Sequence, residues 1–178
     1  MLTEIKTVQT QANLLHSQQE VEAAITKLAE QINQALADKN PLLLCVINGG
    51  IVFAGQLLTR LTMPLNLDSI QATRYRNQTS GGQIEWLLTP KTPLLNRTVL
   101  ILDDVLDEGV TLAAVQAYCR EQGACEVYSA VLIEKLLPEP KPTSADFIGI
   151  VTENRYLFGY GMDYKSYLRN ANGIYACS

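Results

Sequence analysis

Histidine is almost missing from this chain: His16 is the only one in 178 residues. The four cysteines, Cys45, Cys119, Cys125 and Cys177, form no CxxC pair. Together they fall short of a zinc site, which takes about four closely spaced ligands. Long apolar runs are missing too. The longest is Leu42–Ile47, whereas a membrane-crossing helix needs about 20 apolar residues. The opening MLTEIKTVQTQ carries Glu4 and Lys6 where a secretory leader is apolar, so no leader is expected. There is no excess of positive charge. Lys and Arg number 14 against 18 Asp and Glu, a net charge of −4, and no basic patch stands out, which argues against double-stranded nucleic acid as a partner. Charged residues are few, at 18%, beside 47% hydrophobic ones, and that balance excludes a disordered tail or a solvated coiled coil. Two phosphate-binding motifs are absent as well. No G-x-x-x-x-G-K-[ST] occurs, and the nearest approach to G-x-G-x-x-G, at Gly159 and Gly161, has Tyr164 in the third glycine's place. ATPase and dinucleotide oxidoreductase chemistry lose their main support.

What is present alternates between strand and helix patterns. Ser17 and Glu20 make a capping box, and Val21, Ile25, Leu28 and Ile32 then recur on one face, predicting a helix over about 17–37. Leu42–Ile47 is apolar at every position, as a strand buried on both faces of a parallel sheet is. Asn48-Gly49-Gly50 breaks it, and a helix pattern follows over about 51–61. A half-buried strand is expected over 65–72, with Leu65 and Leu67 alternating against polar neighbours. A second strand is expected over 84–88, and the polar RYRNQTSGGQ between the two is expected to be a mobile loop, at about 74–83. Val99–Leu102 is another core strand, ending in Asp103-Asp104. A helix over 112–122 closes at Gly123, a strand over 127–133 follows, and Pro138, Pro140 and Pro142 impose an extended connection before a strand over 147–151. With no repeats and no linker, the expectation is one domain over 1–178: an α/β fold with a doubly wound, mainly parallel sheet flanked by helices. Cys45 in an apolar run and Cys119 on a helix pattern fit buried free thiols in a reducing cytoplasm.

Ligands of such sheets bind at the carboxyl ends of the strands. Three ends carry unusual residues: Asn48-Gly49-Gly50, then Asp103-Asp104 with the Asp107–Thr111 turn, then Glu134-Lys135. Two adjacent carboxylates suit sugar hydroxyls or a hydrated Mg²⁺. The glycine-containing turn into a helix offers backbone N–H groups to a phosphate. The combination fits a ligand with both ribose hydroxyls and a 5′-phosphate.

Three segments then show a resemblance. VLILDDVLDEGVTL resembles the phosphoribosyl-pyrophosphate (PRPP) signature of type I phosphoribosyltransferases. LLLCVINGGIVFAGQLL resembles the pyrophosphate loop and following helix of their hypoxanthine-guanine branch. DFIGIVTENRYLFGYGMDYKSYLRN resembles that branch's C-terminal hood. The resemblance implies the type I phosphoribosyltransferase fold, with a small hood from about 1–20 and 146–178. It implies purine salvage: transfer of the phosphoribosyl group from PRPP to hypoxanthine or guanine, with Mg²⁺, in a cytoplasmic homodimer or homotetramer. The preference among hypoxanthine, guanine and xanthine stays open, and the alternatives are a non-catalytic PRPP-sensing regulator on the same fold or a xanthine-preferring phosphoribosyltransferase.

The resemblance also assigns roles. Asp103 and Asp104 hold the ribose hydroxyls, directly or near Mg²⁺. Asp107 takes the proton from purine N7. Glu108, Gly109, Val110 and Thr111 wrap the 5′-phosphate. Asn48 and Gly49 donate N–H groups to pyrophosphate, across a non-proline cis peptide that is frequent in the family, and Arg169 and Tyr75 also meet pyrophosphate. Lys135 bonds the 6-oxo group, Tyr156 stacks on the base, Leu157 meets its edge through its backbone, and Asp163 holds a second Mg²⁺. Four positions depart from the family pattern: Asn48 where Lys or Arg is common, Arg74 for Ser beside Tyr75, Glu108 for Ser or Thr, and Tyr156 for Phe. A carboxylate about 4 Å from a phosphate costs about 1 kcal/mol in water and about 4 when partly buried. Glu108 is therefore expected to point outward and contribute only its N–H.

Overall fold

Leu42 to Val46 are buried at all five positions, as a strand covered on both faces must be. In the computed structural model, which describes residues 1–74 and 84–177, this strand lies inside a six-stranded sheet. In chain order the elements are α1 (Leu2–Gln11), β1 (Asn13–His16), α2 (Gln18–Leu36), β2 (Leu42–Val46), α3 (Ile51–Leu58), β3 (Asn66–Arg74), β4 (Ile84–Leu88), β5 (Thr98–Leu106), α4 (Val110–Glu121), β6 (Glu126–Leu136), β7 (Phe147–Glu153), β8 (Leu157–Phe158) and β9 (Ile174–Ala176).

The large sheet runs β4-β3-β2-β5-β6-β7. Every pairing from β3 to β7 is parallel, and β4 closes one edge antiparallel to β3. Helices cover both faces. The Ser17 capping box forms as expected, Ser17 Oγ accepting from the Glu20 N–H and the Glu20 carboxylate accepting from the Ser17 N–H. It aims the buried stripe of α2 and the Phe53 face of α3 at Leu43, Cys45, Leu100, Leu102 and Leu132. On the opposite face α4 packs Leu112, Val115 and Cys119 against Leu42, Leu44, Val99 and Ile101. From β2 the chain crosses outward to β3, and from β5 it crosses the other way to β6. The order therefore reverses between β2 and β5, leaving a crevice at their carboxyl ends.

Several expectations shift. β5 does not end at the two acids: its pairing with β6 continues to Leu106↔Glu134, so Asp103 and Asp104 lie within the strand. Leu67 is 49% exposed, and Ile70 is the residue of β3 that is fully buried. β7 is paired with β6 from Ala130↔Phe147 to Leu136↔Glu153 and so belongs to the large sheet. The C-terminal chain enters other structure only at Leu157, later than the expected hood start at 146. That structure is a small antiparallel sheet, β1-β9-β8. α1 lies on it through Ile5, which packs with Phe158 and Leu168, and the Phe158 and Tyr175 rings stack at 5.3 Å. Apart from Arg74, the last residue of β3, the expected loop over 74–83 lies outside the described residues, Tyr75 included.

Candidate active site

The crevice between β2 and β5 is walled by backbone on one side and acid on the other. After β2 the chain turns through Asn48-Gly49-Gly50, with the Ile47–Asn48 peptide cis, as the family resemblance implied. Gly49 lies over the Asp104 side chain so closely that a Cβ there would collide with the carboxylate. From the opposite side Gly161, at φ +104°, meets the Gly49 carbonyl, again with no space for a Cβ. Two glycines thus bring a β2 turn, a β5 acid and the loop before β9 together at one point.

Asp103 and Asp104 are both buried. Burial pushes both carboxyls above their usual range, and the Asp104 charge pushes Asp103 further. For Asp104, a hydrogen bond with Asp103 and the positive field of Arg169 oppose that rise. Such a pair is under-compensated: its charged form calls for hydroxyl donors or a cation. Among the described residues no three His, Cys, Asp or Glu side chains gather to cage a metal ion. Two carboxylates lining a pocket nevertheless fit Mg²⁺, which typically keeps several waters and takes one or two carboxylates along with substrate oxygens. Cys45, behind the pair, is no nucleophile, since burial and then the two acid charges push its thiol up to about 12.

Just past Leu106↔Glu134, the last pair between β5 and β6, stand Asp107 and Lys135. Lys135 Nζ lies 2.7 Å from Asp107 Oδ2, and the lysine side chain is only 11% exposed. It is not a solvated cap of the sheet edge. The turn from Asp107 reaches Gly109, at φ +79°, and α4 begins at Val110. The first N–H groups of a helix have no partner within it, so this turn and the positive end of α4 form an anion cradle. Glu108 is exposed on the turn.

Two connected pockets result. One, of about 540 Å³, is lined by Asn48, Gly49, Asp103, Asp104, the 107–111 turn, Asp163 and Arg169. The other, of about 230 Å³, is lined by Asp104, Asp107, Lys135, Tyr156, Leu157, Met162 and Asp163. Asp104, Asp107 and Asp163 face both. Arg169 holds Asp163 at 2.8 Å and donates to the Gly161 carbonyl at 2.6 Å. Tyr156 is 55% exposed, its ring 5.6 Å from that of Tyr164 and edge-on to it. The larger pocket therefore joins acids, a cation and helix N–H groups. The smaller offers an aromatic face, an apolar floor and a charge-paired donor and acceptor. Every described residue expected at the site lines one or both pockets. Gly161 and Met162 were not legible as site residues, because their place depends on contacts with distant strands.

The phosphoribosyl transferase domain family matches residues 11–165. The hypoxanthine-guanine-xanthine phosphoribosyltransferase of Tritrichomonas foetus is 28% identical over 170 residues, 95% of this chain and 93% of the relative. The hypoxanthine-guanine phosphoribosyltransferase of Bacillus subtilis is 27% identical over 158 residues, 88% of each chain. Among solved structures, a hypoxanthine-guanine-xanthine phosphoribosyltransferase superposes with TM-score 0.84 at 26% identity, covering 93% of this chain and 96% of its own. A hypoxanthine phosphoribosyltransferase mutant from Trypanosoma cruzi, in a ternary substrates complex, gives TM-score 0.86 at 26% identity, covering 94% and 95%. With the family match running through the acid-bearing strand, the anion cradle and on to Asp163, the chain belongs to the phosphoribosyltransferase family.

Proposed function

We propose that this protein is a 6-oxopurine phosphoribosyltransferase. It transfers the 5-phosphoribosyl group of PRPP to hypoxanthine, and to guanine, giving the nucleoside 5′-monophosphate and pyrophosphate. The observation that carries the substrate class is the Asp107–Lys135 pair, 2.7 Å apart at the junction of the two pockets. A 6-oxopurine presents an oxo acceptor beside the N7–H donor along one edge. An ammonium and a carboxylate side by side match that edge: Lys135 donates to the oxo group and Asp107 accepts the N7 proton. Adenine sets an amino group against the ammonium, donor against donor, and a buried polar group left unpaired is a strong basis for rejection.

The reaction breaks the bond from C1′ to pyrophosphate, and the electron pair leaves with pyrophosphate. A purine ring nitrogen forms the new bond to C1′ while Asp107 takes the N7 proton. Val110, Thr111 and the preceding turn hold the 5′-phosphate through N–H groups, and Glu108 contributes its N–H with its carboxylate outward. Asp103 and Asp104 accept from the ribose hydroxyls. Asn48, Gly49, Arg169 and Tyr75 orient the leaving pyrophosphate, and one well-placed donor of this kind is worth about 3 kcal/mol of transition-state stabilisation. Tyr156 covers the base, and the backbone of Leu157 meets its edge. Mg²⁺, for which Asp103, Asp104 and Asp163 are suitable partners, supplies charge neutralisation on the pyrophosphate when bound. The family resemblance further supports a homodimer or homotetramer working in the cytoplasm.

A spectrophotometric assay with PRPP, Mg²⁺ and each of hypoxanthine, guanine, xanthine and adenine tests the proposal. Turnover of hypoxanthine with adenine inert is expected. Turnover of adenine alone, or of none of the four, would overturn it.

A further inference from the structure

Lys141 lies outside every segment that carries the family resemblance, in the connection between β6 and β7. Its side chain is only 12% exposed. An ammonium has three donors, and here each has an acceptor: the Lys135 carbonyl at 2.6 Å, the Glu134 carboxylate at 3.0 Å and the Leu106 carbonyl at 3.3 Å. Leu106 and Glu134 are the last pair between β5 and β6. Past that pair the β5–β6 ladder stops, while β6 stays paired with β7 through Leu136, so the end of β5 can part from β6. Asp107 and Lys135, the next residue on each strand, are the two whose side chains meet across that fork. Lys141 therefore ties the backbone of β5 to the backbone of β6 just where the pairing between those two strands ceases.

The sequence around it serves the same end. Lys141 sits in a Pro140-Lys141-Pro142 triplet. The prolines fix their own φ, and Pro142 holds Lys141 in extended backbone. A rigid segment loses less conformational entropy when it delivers its side chain to one place. The segment also touches the phosphate turn: a Cβ at Gly109 would stand 3.4 Å from Lys141 Cβ and from Pro142 Cδ.

We propose that Lys141 is a positioning residue for purine recognition. By clamping the ends of β5 and β6 it sets the spacing at which Asp107 and Lys135 present acceptor and donor to the base. The inference rests on the 6-oxopurine reading above. The three hydrogen bonds of the ammonium go to Leu106, Glu134 and Lys135, at the strand ends that carry Asp107 and Lys135. The approach to the phosphate turn is made instead by Lys141 Cβ and Pro142, which the variants below keep. A misplacement of about 1 Å in such a constellation can cost about 10²-fold in rate.

The test compares Lys141→Met with the parent by steady-state kinetics, varying hypoxanthine and PRPP separately in the full-length protein with Mg²⁺. The expected result is a kcat/KM for hypoxanthine lowered at least tenfold, with KM for PRPP unchanged within twofold. A purely structural lysine would lower the melting temperature and leave the purine parameters at parental values, and that result would overturn the proposal, as would equal losses toward both substrates. Should the methionine variant not fold, Lys141→Arg carries the test, because its guanidinium presents donors in a different geometry. At least a threefold rise in hypoxanthine KM alone is then expected, and parental values overturn the proposal. Failure of both variants to fold makes Lys141 a staple of the fold instead, which also overturns it. A parent that turns over no 6-oxopurine refutes the proposed function itself, a result distinct from any ratio of variant to parent.

Discussion

Gly49 lies directly over the carboxylate of Asp104, with no space for a side chain between the turn after β2 and the acid of β5. This contact sets the width of the crevice where PRPP is proposed to bind. In Gly49→Ala the methyl group must displace either the turn or the acid. The expected outcome is a folded protein whose kcat/KM for PRPP falls by about 10²-fold, the cost of a shift of about 1 Å at a reacting centre. Initial rates at varied PRPP measure it.

Asp103 and Asp104 exact a cost in the ligand-free protein. Both titrate higher folded than unfolded, because burial disfavours their charged forms and, at Asp103, the Asp104 charge adds to that. The folded state thus keeps protons that the unfolded state releases. The stability this confers is complete below the unfolded value near 3.8 and is lost as pH rises through the raised folded values. Asp103→Asn removes one buried charge from the pair. Its melting temperature without ligands should exceed the parent's at neutral pH, with a flatter dependence on pH above the unfolded value near 3.8. About 1 kcal/mol corresponds to roughly 2–4 °C in a chain of this size. PRPP binding, followed by calorimetry, should weaken in the same variant.

Asp107→Asn tests the base. The amide keeps the shape and cannot accept the N7 proton. Turnover should fall by about 10² to 10⁴, while PRPP affinity stays within a few fold. Unchanged turnover would remove Asp107 from the chemistry.

Lys135→Met tests base discrimination. A hydrogen bond from a charged donor is worth about 1.5–3 kcal/mol, so kcat/KM for hypoxanthine should fall by about 10- to 100-fold. Adenine does not make that bond, so the preference for hypoxanthine over adenine should shrink by the same factor. Competition of the two bases in one reaction reads the ratio directly.

What could be read in the sequence was local. Leu42–Val46 is apolar at every position because both faces of the strand are covered, and a run of five such residues needs no distant information. The Ser17 capping box and the Asp103–Thr111 stretch are local as well, so helix α2 and the acid-plus-turn half of the site were visible. The second sheet was not. β8 has two residues and β9 three, and each is a strand only because it pairs with a distant partner, as Asn13 does with Ala176. α1 buries only Ile5 among polar neighbours and shows no apolar stripe to announce a helix. The joining of Gly161 to Gly49 spans most of the chain, and neither glycine carries a local sign of the other. Asp103 and Asp104 look like a strand's polar end in the sequence, whereas backbone pairing with β6 carries β5 through them.

The most direct test of the central claim is the crystal structure of the protein soaked with inosine 5′-monophosphate and Mg²⁺. The expected result has the 5′-phosphate on the backbone N–H groups of 108–111, the ribose hydroxyls at Asp103 and Asp104, and the oxo group within hydrogen-bond distance of Lys135 Nζ. A nucleotide whose phosphate lies away from that turn, or whose base leaves Lys135 on Asp107 alone, would contradict it.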